Sequence, residues 1–146
     1  MIEFKGRVLI SGQGFGEAVV ARKTVSQIKA FGKRAENTSK KLLFADRHFK
    51  DIYKKNLTGK VFVLPSFKAS DINSMVLLSM AKKKIEPKCF LFSQKLDAAT
   101  VAAFTLAKTY LNSEVVVIDS LGDEFLQTVE TGDQISFADE YVVLNL

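Results

Sequence analysis

The chain has 146 residues, 47% hydrophobic and 25% charged, a composition typical of ordinary globular proteins. This length predicts one domain, 1–146, with room for a hydrophobic core, and apolar runs such as 75–80 are too short to span a bilayer. The N-terminus has no signal-peptide pattern, so we expect a cytoplasmic protein. A single cysteine, Cys89, excludes an intrachain disulfide framework and any zinc or iron–sulfur site that needs several cysteines of this chain.

The net charge of +5 is distributed unevenly along the chain. Residues 1–60 hold 14 Lys and Arg against 5 Asp and Glu, whereas residues 61–146 hold 7 against 11. A basic half can indicate nucleic acid, an acidic partner or a phosphorylated substrate. The basic residues are scattered pairs without a nucleic-acid-binding signature, so solvated loops and helix faces explain them more simply.

The first part of the chain predicts strands separated by turns. Residues 7–10 and 17–21 are apolar and strand-like, and the glycine-rich stretch 11–16 between them predicts a hairpin or a tight corner. The glycine spacing does not fit a dinucleotide-binding fingerprint, because its third glycine would fall at Glu17. Residues 24–58 have a weaker pattern: a helical or irregular turn at 25–31, a short strand at 42–45 and a polar connection behind it.

From residue 60 onward, strands and helices alternate. We predict strands at 60–64, 88–92 and 114–118 and helices at 71–84, 96–110 and 123–129, with closing strands at 134–137 and 141–144. This alternation favours β-α-β units and a mostly parallel sheet. The continuous apolar character of the strands indicates that both faces of the sheet are covered. Cys89 is then a small core residue.

The turn that follows the strand at 60–64 is the strongest functional candidate. It leads from Leu64 through Pro65 to Ser70, which precedes a helix. A helix N-terminus has unpaired N–H donors and partial positive charge, so it can hold an anion or favour ionisation of a hydroxyl. Local sequence favours a simpler role for Ser70 as the helix N-cap.

Other catalytic patterns are weaker. His48, the only histidine, lies in a charged loop, and a Ser–His–Asp triad with Ser70 lacks a glycine-flanked nucleophile elbow. The carboxylate pairs at 123–124 and 139–140 are sequence neighbours, which do not face each other on a helix. The first pair suits a helix N-terminus electrostatically.

Several short motifs share the order and spacing of one known family. They are a glycine-rich corner and Gly-x-Ala strand, a Leu-x-Gly step, a proline turn that opens a helix and its continuation, a proline before the next strand, and a late Thr-Gly-Asp. In this sequence they are Gly12, Gly16–Ala18, Leu57–Gly59, Pro65–Ser70, Ser74, Val76–Leu77, Glu86–Pro87 and Thr131–Asp133. By these motifs the chain resembles the swivel domain, or small subunit, of aconitase X.

The resemblance implies a swivelling β/β/α fold, a β-barrel-like core with flanking helices. It also implies a larger aconitase-like partner that carries an iron–sulfur cluster, with no cofactor in this chain, and dehydration of a hydroxy acid such as phosphomevalonate. Ser70 takes the position of the family's proposed catalytic base. Lys68 is the nearby cation that would stabilise an anion, and Lys68, Ser66 and Ser26 are the candidate substrate-binding residues.

The sequence departs from the family pattern around this turn. Lys68-Ala69 replaces Arg-Gly, and a lysine cannot make the bidentate fork of arginine. Asp71 adds a negative charge beside Ser70, and Ser26 is the remnant of a Ser-Phe-x-Gly-Gly loop. Three alternatives therefore remain open: a diverged binding or regulatory relative, a basic nucleic-acid-binding module, and a phosphocarrier domain, for which His48 is poorly placed.

Overall fold

The computed structural model describes residues 1–32, 40–68 and 73–145. Within these ranges eight strands alternate with helices along the chain, and the eight strands form one mixed sheet. The strands are β1 (Ile2–Lys5), β2 (Arg7–Ile10), β3 (Gln13–Val20), β4 (Val61–Leu64), β5 (Cys89–Phe92), β6 (Val116–Asp119), β7 (Gln134–Ala138) and β8 (Tyr141–Asn145). The helices are a π-helical turn (Ile28–Gly32), α1 (Asn73–Lys83), α2 (Ala98–Leu111) and α3 (Asp123–Thr128).

The sheet is nearly closed into a barrel. Its strand order is β1-β8-β7-β3-β4-β5-β6-β2, so the two edge strands are consecutive in sequence and only Gly6 separates them. The Gly6 N–H donates to the Glu140 carbonyl at 2.8 Å, while a Cβ on Gly6 would lie 2.6 Å from the Asp119 carbonyl oxygen. Only glycine permits this approach, which brings both edges of the sheet together.

Strands β3, β4, β5 and β6 form the parallel part of the sheet. Their side chains alternate between two buried clusters, as period-2 geometry requires. One cluster lies against α1, α2 and the π-helical turn and is rich in phenylalanine, with Phe62, Phe90 and Phe92 among its members. The other contains Val61, Leu91 and residues of α3, β7 and β8. The coverage of both faces confirms the expectation from the continuous apolar strands.

Local signals explain the ends of α2. The Asp97 carboxylate accepts a hydrogen bond from the Thr100 N–H at 2.7 Å and so caps the N-terminus. Asn112 ends the helix in the left-handed conformation, with φ of 56°. The acidic pair Asp123 and Glu124 lies in the first turn of α3, where the helix dipole favours negative charge.

The prediction for the N-terminal region was partly wrong. Residues 13–16 belong to β3 rather than to a turn, and β2 does not form a hairpin with β3. Instead β2 pairs with β6 and β3 pairs with β4 and β7. The glycines serve packing, because a Cβ on Gly14 would lie 2.9 Å from the Phe137 ring. Strand β1 was not predicted, and the strand expected at 42–45 is an isolated bridge between Leu43 and Asn56.

The remaining predicted elements are confirmed to within a few residues. The mixed α/β class is correct, and Cys89 is a buried residue of β5. The helix predicted at 71–84 corresponds to α1. The first two residues of that prediction, 71 and 72, lie outside the described residues. In the described ranges, we find no helix with the length and apolar character needed to cross a membrane.

Candidate functional site at the carboxyl edge of the parallel strands

The segment after β4 is tied to the segment after β3. Val25 and Phe67 form an isolated parallel bridge. The Val25 N–H donates to the Ser66 carbonyl at 3.1 Å, and the Lys68 N–H donates to the Val25 carbonyl at 2.9 Å. Ser26 and Lys68 each follow a bridge residue, so they are neighbours on adjacent segments. The structure therefore brings together the three candidate substrate-binding residues Ser26, Ser66 and Lys68.

Phe67 anchors this edge in the core. Its ring contacts Phe31, Phe90 and Phe92 with centroid separations of 6.1, 5.9 and 5.3 Å. Because neighbouring residues of an extended chain point to opposite sides, Ser66 and Lys68 are directed away from this cluster. Lys68 is accordingly exposed and Ser66 is half-buried. A rigid aromatic cluster thus supports a surface with a hydroxyl and an ammonium group.

Ser26 also has a structural role. Its carbonyl accepts from the Ala30 N–H at 2.9 Å, and its hydroxyl oxygen accepts from the Lys29 N–H at 3.4 Å. It therefore precedes the π-helical turn as a cap residue. The Ala30 carbonyl in turn accepts from the Ala45 N–H at 3.0 Å, which links this edge to the connection at 42–57.

The predicted base, Ser70, lies outside the described residues, as do Ala69 and Asp71. His48, for which the sequence analysis disfavoured a triad with Ser70, is highly exposed, and its Nδ1 lies 3.0 Å from Asp46 Oδ1. The structure describes the first part of the turn, residues 64–68. These residues lie at the carboxyl edge of the parallel strands, at the end of β4 and directly after it.

At the carboxyl end of β6, the buried Asp119 carboxylate forms an ion pair with the half-exposed side chain of Arg7. Arg7 Nε and Nη2 donate to Asp119 Oδ1 and Oδ2 at 2.9 and 2.6 Å, and the Leu96 N–H donates to Oδ2 at 2.7 Å. Burial raises the pKa of the Asp119 carboxyl, but these bonds and one from Ser120 outweigh it, so that the pKa lies below its usual value. The bonds from Arg7 link β2 to β6. The bond from the Leu96 N–H attaches the segment before α2 to the end of β6.

A separate groove of about 890 Å³ lies at the opposite end of the parallel strands, lined by Gly59, Pro87 and Val116 among others. Its lysines are engaged: Lys88 Nζ donates to the Phe15 carbonyl at 2.8 Å and Lys84 Nζ to the Leu111 carbonyl at 2.7 Å. The Glu86 carboxylate accepts from the Ser113 hydroxyl at 3.0 Å. These internal contacts indicate a structural role for this end.

Glu86 gives a test of the electrostatics in this groove. Burial raises its pKa, although the Ser113 hydroxyl and Lys84 act in the opposite direction. A raised folded-state pKa stabilises the fold at low pH, and this contribution is lost as the pH rises through the folded pKa. We therefore expect Glu86→Gln to raise the melting temperature at pH 7, with a gain that shrinks as the pH falls through the folded-state pKa and is gone below the unfolded value of about 4.3.

The matched control for that measurement is Glu3→Gln on exposed β1, which should leave the melting temperature nearly unchanged at both pH values. Destabilisation by Glu86→Gln at pH 7 that disappears at low pH would contradict the assignment. It would mean that the ionised carboxylate is the form that the fold requires.

Several basic residues of the N-terminal half serve the fold. Arg22 donates to the Leu126 and Val129 carbonyls at the end of α3 and pairs with Glu130 at 3.4 Å. Lys60 pairs with Glu17 at 2.8 Å. Arg22 therefore has a structural role, whereas the sequence predicted solvated loops and helix faces for the basic pairs. Among the described residues, no group of three or more His, Cys, Asp or Glu side chains could hold a metal ion.

Comparison with known proteins decides the family. The model of the aconitase X swivel domain matches residues 3–145. The chain belongs to the aconitase X swivel domain family. The phosphomevalonate dehydratase small subunit of Archaeoglobus fulgidus is 25% identical over 134 residues, which cover 92% of this chain and 90% of the relative. The protein of the same name from Pyrococcus furiosus is 31% identical over 102 residues, covering 70% and 71% of the two chains.

The fold of this swivel domain matches a solved structure. The crystal structure of Thermococcus kodakaraensis aconitase X in its holo-form superposes with a TM-score of 0.81 and 20% identity, covering 100% of both chains. The resemblance that the short motifs indicated is therefore confirmed, both for the family and for the α/β swivel fold with its barrel-like sheet and flanking helices.

Proposed function

We propose that this swivel domain is the small subunit of a hydro-lyase that dehydrates phosphomevalonate together with a larger aconitase-like subunit. The observation that carries the proposal is the family match over 3–145, joined to relatives that are named phosphomevalonate dehydratase small subunit. The relative from Archaeoglobus fulgidus is matched over 90% of its length, so its small-subunit role can apply to the whole of this chain.

The contribution of this chain to the reaction is the base. Dehydration removes a proton from one carbon and a hydroxyl group from the next, and the products are an alkene and water. Ser70 Oγ would accept the carbon-bound proton. A serine alkoxide is costly in water, so it needs stabilisation by N–H donors and a cation. Lys68, two residues earlier in the chain, can supply that positive charge.

The same edge can bind the anionic groups of the substrate. Lys68 is exposed, and its backbone is fixed through Val25. The hydroxyls of Ser26 and Ser66 lie on the paired segments beside it. An ammonium group and two hydroxyls are suited to a phosphate or carboxylate, because charge-assisted hydrogen bonds are the stronger ones. The proposal therefore assigns Lys68, Ser66 and Ser26 to substrate binding.

The residues of this chain do not fit an iron–sulfur cluster. Such clusters are held by several cysteine thiolates, and Cys89, the only cysteine, is completely buried in β5. Burial raises the pKa of its thiol well above the usual value, which keeps it protonated. In the proposed assembly, the larger subunit would carry the cluster, and this chain would complete the site by covering it.

The role of Lys68 can be measured by steady-state kinetics of the assembled complex. Lys68→Ala should raise KM for phosphomevalonate about 10- to 100-fold, because a charge-assisted contact contributes roughly 1.5–3 kcal/mol. The control is Lys108→Ala, an exposed lysine of α2, which should leave KM unchanged. An unchanged KM in the Lys68 variant would remove this residue from substrate binding.

The assembly itself is tested by purification of the tagged chain from its native cytosol, with mass spectrometry and iron analysis of what is retained. We expect an iron-bearing, aconitase-like chain, and the purified pair should dehydrate phosphomevalonate. Recovery of no such chain would overturn the proposal.

A second function is favoured by two substitutions in the turn. Ala69 replaces a glycine of the family pattern, and Asp71 places a negative charge beside Ser70. Both changes can weaken anion binding at the turn. A diverged subunit would assemble with the larger chain, yet the complex would bind a hydroxy acid without turnover.

A further inference from the structure

Helices α1 and α2 expose large apolar side chains on a face that does not pack on the sheet. The two helices lie against each other, and their inner side chains, such as Leu77 and Phe104, are buried in the core. On the outer face, Met75 is 68% exposed, Leu106 is 43% exposed and Tyr110 is 75% exposed. A surface helix needs only one apolar stripe to pack on a core. The second apolar face of this helix pair is therefore open to solvent in the free chain.

The exposed apolar side chains line one groove between the two helices. This α1–α2 groove has a volume of about 360 Å³, and Leu78, Lys82, Leu106 and Tyr110 are among its lining residues. Leu106 and Tyr110 are four residues apart and so lie on the same face of α2. Single exposed apolar residues are common on protein surfaces, whereas a contiguous apolar patch marks an interaction site.

The apolar stripe extends from the groove toward the candidate site. Met75, Leu78 and Lys82 lie at positions i, i+3 and i+7 of α1, so they share one face of that helix. Met75 is in the first turn of α1, and α1 begins three residues after Ser70 in the chain. A partner bound along this face would therefore lie beside the segment that contains Ser70.

The charges around the α1–α2 groove are positive. The sequences of α1 and α2 contain three lysines and no aspartate or glutamate. Lys82 lines the groove, and Lys84 Nζ donates to a backbone carbonyl at its end. Asp97 caps the other end of α2, and Glu86 and Glu114 line the separate groove below the parallel strands. A complementary partner has apolar anchors flanked by carboxylates.

We propose that the α1–α2 groove binds an amphipathic helix of the larger subunit, an inference that rests on the proposed function. Apolar side chains of that helix would fill the groove between Leu106 and Tyr110, and its acidic side chains would lie beside Lys82. A groove between two helices is concave and fits the convex apolar face of a third helix. Because α1 follows the segment with Ser70, binding there would also fix that segment against the larger subunit.

Charge and shape disfavour two other occupants of the groove. A two-fold interface between copies of this chain would use the same patch twice. It would bring the lysines of both copies together without a carboxylate from either helix pair, and like charges across an interface are unfavourable. A flat membrane surface would make little apolar contact inside a concave groove, although lysines attract anionic lipids.

The test is calorimetric titration of this chain with the purified larger subunit that co-purifies with it. Tyr110→Ala should raise Kd about 30-fold or more, as expected for an aromatic anchor at the centre of an interface. Lys82→Glu should raise Kd about tenfold at low salt and by less in about 0.5 M salt, because salt screens the charges. The matched controls, Tyr141→Ala on β8 and Lys5→Glu on β1, should leave Kd within about twofold.

Thermal unfolding of the isolated variants separates docking from folding. Tyr110 and Lys82 are exposed, so each variant should melt within about 2 °C of the wild type. An unchanged Kd for Tyr110→Ala would overturn the inference. Self-association of the wild-type chain, or its binding to phosphatidylserine vesicles, would also overturn it if Tyr110→Ala abolished that binding, since the groove would then serve a second copy or a membrane.

Failure of the proposed function is seen separately. If the wild-type chain bound the larger subunit and the pair did not turn over phosphomevalonate, the proposed activity would be wrong, and the Kd values of the variants would still decide the inference. If the wild-type chain did not bind the larger subunit, the inference would be overturned together with the function on which it rests.

Discussion

Replacing Ser70 with alanine should lower turnover by the assembled complex roughly 10²–10⁴-fold, the range that a general base contributes. The hydroxyl oxygen is the atom that would accept the carbon-bound proton, and alanine offers no substitute. Folding should be nearly intact, apart from about 1 kcal/mol if the serine also caps the following helix. The measurement is kcat for phosphomevalonate dehydration, with the melting temperature of the variant recorded beside it.

The control for this variant is Ser79→Ala, a half-buried serine in the middle of α1. It removes a hydroxyl from the helix that follows the turn without touching the turn, and kcat should stay near that of the wild type. Near-normal turnover by Ser70→Ala would eliminate Ser70 as the base. Assembly without turnover in the wild type itself would instead favour the diverged binding subunit.

Replacing Asp119 with alanine should destabilise the fold by about 1–3 kcal/mol, the cost of leaving a buried donor without its acceptor. The substitution removes the acceptor of the Leu96 N–H and the partner of Arg7, and with them the side-chain link that supports the backbone pairing of β2 with β6. Asp119→Asn should cost less, because an amide oxygen can still accept from Leu96. Urea unfolding at pH 7 measures both values, and Asp51→Asn, at an exposed aspartate, serves as the control.

The pH dependence of the Asp119 variants follows from the sign of its pKa shift. The folded-state pKa lies below the unfolded value of about 3.9, so the stabilisation is present above that value. It is lost as the pH falls through the folded-state pKa. The advantage of the wild type over Asp119→Asn should therefore shrink at acid pH. A difference independent of pH would mean that packing rather than the ionised carboxylate stabilises this junction.

Two basic residues of the N-terminal half, Arg22 and Lys60, are engaged in contacts within the fold, and Lys60 forms its pair with Glu17 of β3. Outside that half, Lys84 and Lys88 donate to backbone carbonyls around the groove at the opposite end of the parallel strands. Lys68 is exposed at the carboxyl edge, where we propose that it binds the anionic end of the substrate.

The candidate site could be located from sequence only in part. Lys68, Ser66 and Ser70 are close together in the chain, so the turn after an apolar strand was enough to place them at the end of that strand. Ser26 was selected through family resemblance, and its position beside Lys68 depends on the bridge between Val25 and Phe67.

The sequence by itself determined the local elements. Continuous apolar runs specified the buried parallel strands, Asp97 and Asn112 set the ends of α2, and Cys89 was assigned to the core. Tertiary structure decided which strands pair. Period-2 alternation shows which side chains share a face, but it does not show which strand is the neighbour. The near closure of the sheet at Gly6 could therefore be seen only in the tertiary structure. It depends on contacts of Gly6 with Glu140 and Asp119, which are remote in sequence.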